Sequence, residues 1–365
     1  MNALGQPILD LAELALAGLE GRQASQRIGT LMTSLAIGAH GLGPLLARLV
    51  ATGTPAEPEA ASMLVHADRI NGLRRAAMQQ VTGQLGALLA EEKIAALLLK
   101  GEGLAKLYPD PASRNCGDLD LLIAPGQWLR AVRLLAERGY EPCYVSLGPR
   151  DRLFWLAQGR LKDLTFAHPG GWMRTELHRR LFFGGIEPRA RDLAAAFCPQ
   201  VFGAEDPIPT PSPDAALAHY LLLHGAVSRW SALKHLVDLI PLFRALPPAE
   251  LARIADCAEA AGTAPTVKAG LTLFSNLFGG DRLGLLRNWA EERAGSRAVT
   301  ARVDLYVAAL NGNPDRRRSR MTQLEPDLML VDRLSWRLGL RGRAALSTSM
   351  RLVAAGLAQR REAGA

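Results

Sequence analysis

Apolar residues recur every three or four positions through 8–50 and again through 57–92, as in LVHADRINGLRRAAMQQVTGQLGALLAEE. That period places them along one side of a helix, so both stretches are expected to be amphipathic helices. The intervening ATGTPAEPEA carries Pro55 and Pro58 and reads as a turn or loop. After residue 92 the pattern changes. IAALLLK (94–100) is a short apolar run suited to a buried strand, and GEGLAKLYP opens with two glycines into one or two helical turns. PDPASRNCG, with two prolines, is a loop. DLDLLI (118–123) is a second strand, followed by PGQWLRAVRLLAERG, a helix started by Pro125 and stopped by Gly139. YEPCYVSL, DLTFAH and WMRTELH are further strand candidates, separated by turn residues. Beyond a proline-rich loop, DPIPTPSP (206–213), the chain reads as helical to its end, with NGNPDRRRSR (311–320) as an exposed loop. No internal repeat interrupts this course.

The expected architecture is therefore α+β. A small mixed β-sheet core at 93–205 is flanked by an N-terminal helical region at 1–92 and a C-terminal helical domain at 206–365. Composition agrees: 48% of the 365 residues are hydrophobic and 21% charged, which excludes a disordered or fibrous chain. Only 5% are aromatic, while Ala and Leu abound and favour helix.

Charge adds one asymmetry. From residue 281 onward 16 arginines stand against 9 acidic residues, so +7 of the net +8 lies there. Such a region either attracts nucleic acid, phosphate or acidic polymer, or forms a solvated helical face. Cys116, Cys143, Cys198 and Cys257 are too far apart for a C-x-x-C pair, and no nearby histidine completes a zinc site. They are expected as reduced, small buried hydrophobes in a cytoplasmic protein. No basic, apolar leader opens the chain. The most apolar stretch, AALAHYLLLHGAV, is shorter than a membrane span and holds His219 and His224.

The candidate chemistry lies in Gly117-Asp118-Leu119-Asp120-Leu121-Leu122-Ile123. Residues two apart on a strand share a face, so Asp118 and Asp120 would project side by side. Adjacent carboxylates repel, and a divalent cation relieves the repulsion; magnesium suits such a pair together with substrate phosphates. The bland alternative is a strand end with two solvated aspartates. Upstream, Lys100-Gly101-Glu102-Gly103 sits where a strand runs into a helix, a place where backbone amides approach phosphate oxygens. Downstream, Glu176 in WMRTELH offers a third carboxylate from another strand. Three carboxylates behind a glycine turn fit a two-metal phosphoryl-transfer site.

The run LLLKGEGLAKLYPDPASRNCGDLDLLI resembles the signature of uncharacterised bacterial nucleotidyltransferases of the DNA polymerase β superfamily. The matching positions are Leu99-Lys100-Gly101, Tyr108-Pro109, Arg114 and Asp118-Leu119-Asp120. TELHRRLF (175–182), LLLHGAVSRWSALKHLVDLIPLF (221–243) and HGLGPLLARL (40–49) extend the likeness over roughly 40–245. The resemblance implies a nucleotidyltransferase in which Asp118, Asp120 and Glu176 hold two Mg2+ ions. Lys100, Gly101, Gly103 and Arg114 would hold a nucleoside triphosphate. It also implies an acceptor hydroxyl on a sugar, peptide, small molecule or RNA. The alternative is a non-catalytic nucleotide-binding or interaction protein that keeps the fold.

For Arg114 the alternative role is an ion pair with a neighbouring carboxylate. His178 and His224 are read as either packed core residues or catalytic groups, and Trp230 and Asp238 as structural, with Asp238 holding an arginine across helices. The chain departs from the family pattern at His178-Arg179, where His-Trp is common. It departs again at Ser228, where a second His is common, and at Gly101-Glu102, where Gly-Ser or Gly-Gly is common.

Overall fold

The computed structural model describes residues 4–124, 126–143, 163–171, 173–179, 181, 206–284, 286–292 and 296–312. Cys198, part of the YEPCYVSL strand candidate and the arginine-rich stretch beyond residue 312 lie outside them. The chain divides into two compact units whose segments alternate along the sequence. The first comprises Met1–Ala77, Glu102–Cys116 and Ser212–Asp332; the second comprises Met78–Gly101, Gly117–Pro211 and Arg333–Ala365.

The second unit holds the sheet. Its strands are β1 (Ala96–Leu98), β2 (Leu119–Ile123), β3 (Glu141–Pro142), β4 (Asp163–Ala167) and β5 (Arg174–His178). They lie in the order β1-β2-β5-β4-β3, with β2 and β5 parallel and every other pair antiparallel. The expected α+β class with a mixed sheet is what the chain adopts. All five residues of β2 are buried, Asp120 among them, so this strand occupies the middle of the unit.

A helix of the same unit, Trp128–Glu137, buries Trp128, Ala131, Val132, Leu134 and Leu135. Their spacing gives one apolar face, while Arg130 and Arg133 point to solvent. The indole Nε1 of Trp128 donates to the Leu177 carbonyl at 3.3 Å, tying the helix to β5. Gly139, at φ +80, lets the chain turn after the helix. Outside β1, the Leu98 N–H donates to the Pro209 carbonyl at 2.8 Å, so part of that sheet edge is covered.

The neighbouring Pro207 abuts Gly86 of the long helix Pro58–Glu91. A Cβ at Gly86 would stand 2.5 Å from the Pro207 carbonyl oxygen. Alanine is ordinarily better than glycine in a helix by roughly 0.5–1 kcal/mol. Here the collision reverses the sign. Gly86→Ala is expected to destabilise by about 1–3 kcal/mol in urea unfolding, and a stabilised variant would refute the contact.

The first unit is helical. The stretch expected as amphipathic helix over 8–50 is divided into Gln6–Glu20, Thr30–Leu35 with a π-turn over Ala36–His40, and Gly43–Ala51. Glycine causes both breaks. Gly21 (φ +65) and Gly41 (φ +66) adopt the left-handed conformation that closes a helix. From Ser212 onward come helices Ala215–Val227, Lys234–Val237, Leu239–Ala245, Pro248–Ala261, Ala264–Phe278, Leu286–Glu291 and Arg297–Leu310. Asp214 caps the first of these by accepting from the Leu217 N–H at 2.8 Å.

Trp230 is fully buried in the turn that follows, its ring against Gly225 and Gly270. A Cβ at Gly225 would come within 2.3 Å of that ring, so the glycine makes room for the indole. Trp230 is structural, as the sequence suggests. Among the described residues, no helix is long and apolar enough to cross a membrane. Cys116 is buried as expected, whereas Cys143 and Cys257 are only half-buried.

His219 provides a measurable handle on this unit. Its Nε2 shares a hydrogen bond with Thr263 Oγ1 at 2.9 Å, and the Thr263 hydroxyl also lies 3.3 Å from the Ala258 carbonyl. Burial lowers its pKa from 6.5 to about 4. Protons therefore bind the unfolded chain more readily, and stability present above pH 6.5 is lost as the pH falls towards 4. The expected loss is about 2 kcal/mol between pH 7 and pH 5, read by urea unfolding. His219→Gln should flatten that dependence; an unchanged slope would exclude His219 as its source.

Candidate active site

Pairing between β2 and β5 sets the site. Asp120 lies in register with Glu176, and Leu122 with His178. Parallel neighbours in register project to one face, and Glu176 and His178, two apart, share it. On the other side of β5, Asp163 of β4 is in register with His178. Four titratable side chains from three adjacent strands thus line one face of the sheet, and none of them depends on a loop for its position.

Asp120 is the centre of this group. Its side chain is fully buried, and Oδ1 lies 2.9 Å from Lys100 Nζ and 3.0 Å from His178 Nε2. Burial by itself would raise the carboxyl pKa. The Lys100 charge and the His178 hydrogen bond outweigh burial and hold the group well below the usual carboxylate range. Its other oxygen, Oδ2, is equally buried and has no hydrogen-bond partner among the described residues. A buried carboxylate oxygen left in that condition is costly, and a cation is the natural complement.

His178 is almost fully buried; its Nε2 also lies 3.5 Å from Glu176 Oε2, and its Nδ1 faces Asp163 Oδ2 at 3.8 Å. Ligand atoms of Asp120, Glu176 and His178 all lie within 4.8 Å of one another. That donor set fits a divalent cation. Asp118 immediately precedes β2, half-buried, and is outside that trio. Its carbonyl oxygen stands over Gly101, which adopts φ +68, and a Cβ at Gly101 would come within 3.2 Å of it. The left-handed backbone conformation of the turn after β1 therefore favours glycine, and a side chain there would also crowd the Asp118 carbonyl.

Lys100, expected beside phosphate, is placed against Asp120. Gly103 and Arg114, expected at the nucleotide, belong to the helical unit. There Arg114 forms a bidentate pair with Asp238: Nε to Oδ1 at 2.7 Å and Nη2 to Oδ2 at 2.8 Å. The Tyr108 hydroxyl donates to the same Oδ1 at 2.6 Å, and Arg114 Nη1 reaches Cys116 Sγ at 3.3 Å. All of these groups are buried. Burial favours a neutral Asp238, but the charge and hydrogen bond of Arg114 prevail and its pKa is lowered. The tyrosine hydroxyl is pushed well up by burial and by the Asp238 charge. The ion-pair alternative for Arg114 is thus the arrangement present.

Glu102 pairs with Arg75 at 3.0 Å. His224 stacks on Tyr220 at 5.9 Å and meets His235 edge-on at 5.5 Å.

The sequence by itself leaves the role of His178 open, and nothing in it singles out Asp163. Applying the two-residue period to Glu176 would have found His178. Only the pairing of β4 with β5 reveals Asp163.

Residues 33–279 match the model of a protein family described as uncharacterised nucleotidyltransferase. No curated protein and no solved structure matches the chain.

Proposed function

Because the chain belongs to this family of uncharacterised nucleotidyltransferases, we propose that it moves a nucleoside monophosphate from an NTP to an acceptor hydroxyl in a divalent-metal-dependent reaction. The observation that carries this reading is the register of Asp120 with Glu176 on adjacent parallel strands, beside the unpartnered Oδ2 of Asp120. The acceptor oxygen attacks the α-phosphorus, the bond to the bridging oxygen breaks, and pyrophosphate leaves with its electron pair. The acceptor proton passes to solvent or to Glu176, the most exposed carboxylate of the trio at 29%. Metal ions, two in the family-based expectation, would be held by Asp118, Asp120 and Glu176. They supply neutralisation of the phosphate charge and activation of the hydroxyl.

Lys100 is poised to trade its contact with Asp120 for a phosphate oxygen, and Gly101 gives the backbone room for that approach. Arg114, committed to Asp238, is assigned the structural task. The acceptor is a sugar, peptide, small molecule or RNA hydroxyl.

The test uses NTPs labelled at either end, incubated with the protein and cell extract. Label in the α-phosphate should appear on an acceptor, and label in the γ-phosphate should leave as pyrophosphate. Transfer of the γ-label, or no transfer with any NTP, would overturn the proposal.

A further inference from the structure

The donor set on the sheet is not all oxygen, and this bears on which ion the protein holds. We propose that His178 is a metal ligand through Nε2, together with Asp120 and Glu176. Asp163 acts as its positioning residue, and the ion held by these three is a first-row transition ion such as Mn2+ rather than Mg2+. The inference rests on the nucleotidyltransferase reading and names the cation class of that same site.

Three observations carry it. First, two ligands at right angles and each ~2.1 Å from an ion are about 3.0 Å apart. His178 Nε2 stands 3.5 Å from Glu176 Oε2, close to the spacing of adjacent corners of a coordination polyhedron, and ligand atoms of Asp120, Glu176 and His178 all lie within 4.8 Å of one another. Second, Asp120 Oδ2 is buried without a hydrogen-bond partner, in a residue with no exposed surface.

Third, the far side of the imidazole faces a carboxylate, Asp163 Oδ2, 3.8 Å from Nδ1. An ion at Nε2 would take the place of the proton shared with Asp120 Oδ1, and the imidazole would then carry its proton on Nδ1, on the side that faces Asp163. Carboxylate, histidine and metal in sequence form a recurrent outer-sphere arrangement. Magnesium prefers hard oxygen donors and keeps its waters, whereas imidazole nitrogen shifts preference along the first transition row. Lys100 does not oppose this, because it meets Asp120 through Oδ1 and leaves Oδ2 available.

The experiment is pulsed EPR on the full chain, stripped with chelator and loaded with one equivalent of Mn2+. The spectrum should show hyperfine coupling to 14N, and displacing the Mn2+ should take at least about tenfold excess Mg2+. His178→Gln should lose the coupling. Asp163→Asn should keep it but bind Mn2+ about 10–100-fold more weakly. Mn2+ bound without 14N coupling in the unaltered chain overturns the inference and leaves nucleotidyl transfer standing. Coupling that persists in His178→Gln also overturns it. Failure to take up Mn2+ overturns it too, and nucleotidyl transfer is then judged separately by the labelled-NTP experiment.

Discussion

Replacing Asp120 with Asn is expected to lower label transfer from the α-phosphate by about a thousandfold or more. The side chain is isosteric, so the loss comes from charge. Asp120 is held on both sides by nitrogen donors, Lys100 Nζ at 2.9 Å and His178 Nε2 at 3.0 Å. A neutral amide would leave those groups without their anion and present a donor where a cation should bind. Because that change also disturbs a buried pair, Glu176→Gln is the companion variant. Its side chain is 29% exposed, so it should fold like the parent, with a thermal midpoint within a few degrees, and still lose transfer. Parental turnover in either folded variant would end the assignment of these carboxylates to catalysis.

The second large effect concerns folding. Asp238→Ala should destabilise the helical unit by about 3–5 kcal/mol in denaturant titrations. The substitution removes both acceptors of the Arg114 fork and the partner of the Tyr108 hydroxyl, all in a buried setting. An uncompensated guanidinium and a stranded hydroxyl would remain inside the protein. Converting both partners to apolar residues, Arg114→Met with Asp238→Leu, should recover much of that loss, because no charge is then left buried. A loss below about 1 kcal/mol in the single variant would mean that Arg114 finds another partner or water, and that the pair is not what organises this region.

These two sites differ in how far the chain itself announces them. The strands were readable because β1 and β2 are short apolar runs and because DLDLLI opens with polar and apolar residues alternating from Asp118 to Leu121. Glu176 and His178 lie on one face by the same rule. Their meeting with Asp120 was not readable: the His178 and Asp120 contact spans 58 positions, and only the parallel pairing of β2 with β5 closes it.

Arg114 and Asp238 are 124 positions apart. Sequence alone supplies a basic residue near a motif and an acidic residue on a helix, which leaves both a nucleotide contact and an ion pair open for Arg114. Their burial against each other comes from the fold and not from any spacing in the chain. Periodicity also overran the glycines: Leu and Ala spacing continues through Gly21 and Gly41, yet both adopt a backbone conformation that a continuous helix cannot accommodate.

The coverage of β1 has a practical corollary for dissecting the protein. A fragment cut at the strand-rich limits, 93 to 205, would omit Pro209, whose carbonyl receives the Leu98 amide. It would also omit Met78, Val81, Leu85 and Leu89, all buried along the final turns of the long helix. Such a piece would expose a row of unsatisfied peptide groups beside freshly bared aliphatic surface, the combination that recruits other chains into intermolecular sheets. It should precipitate on expression.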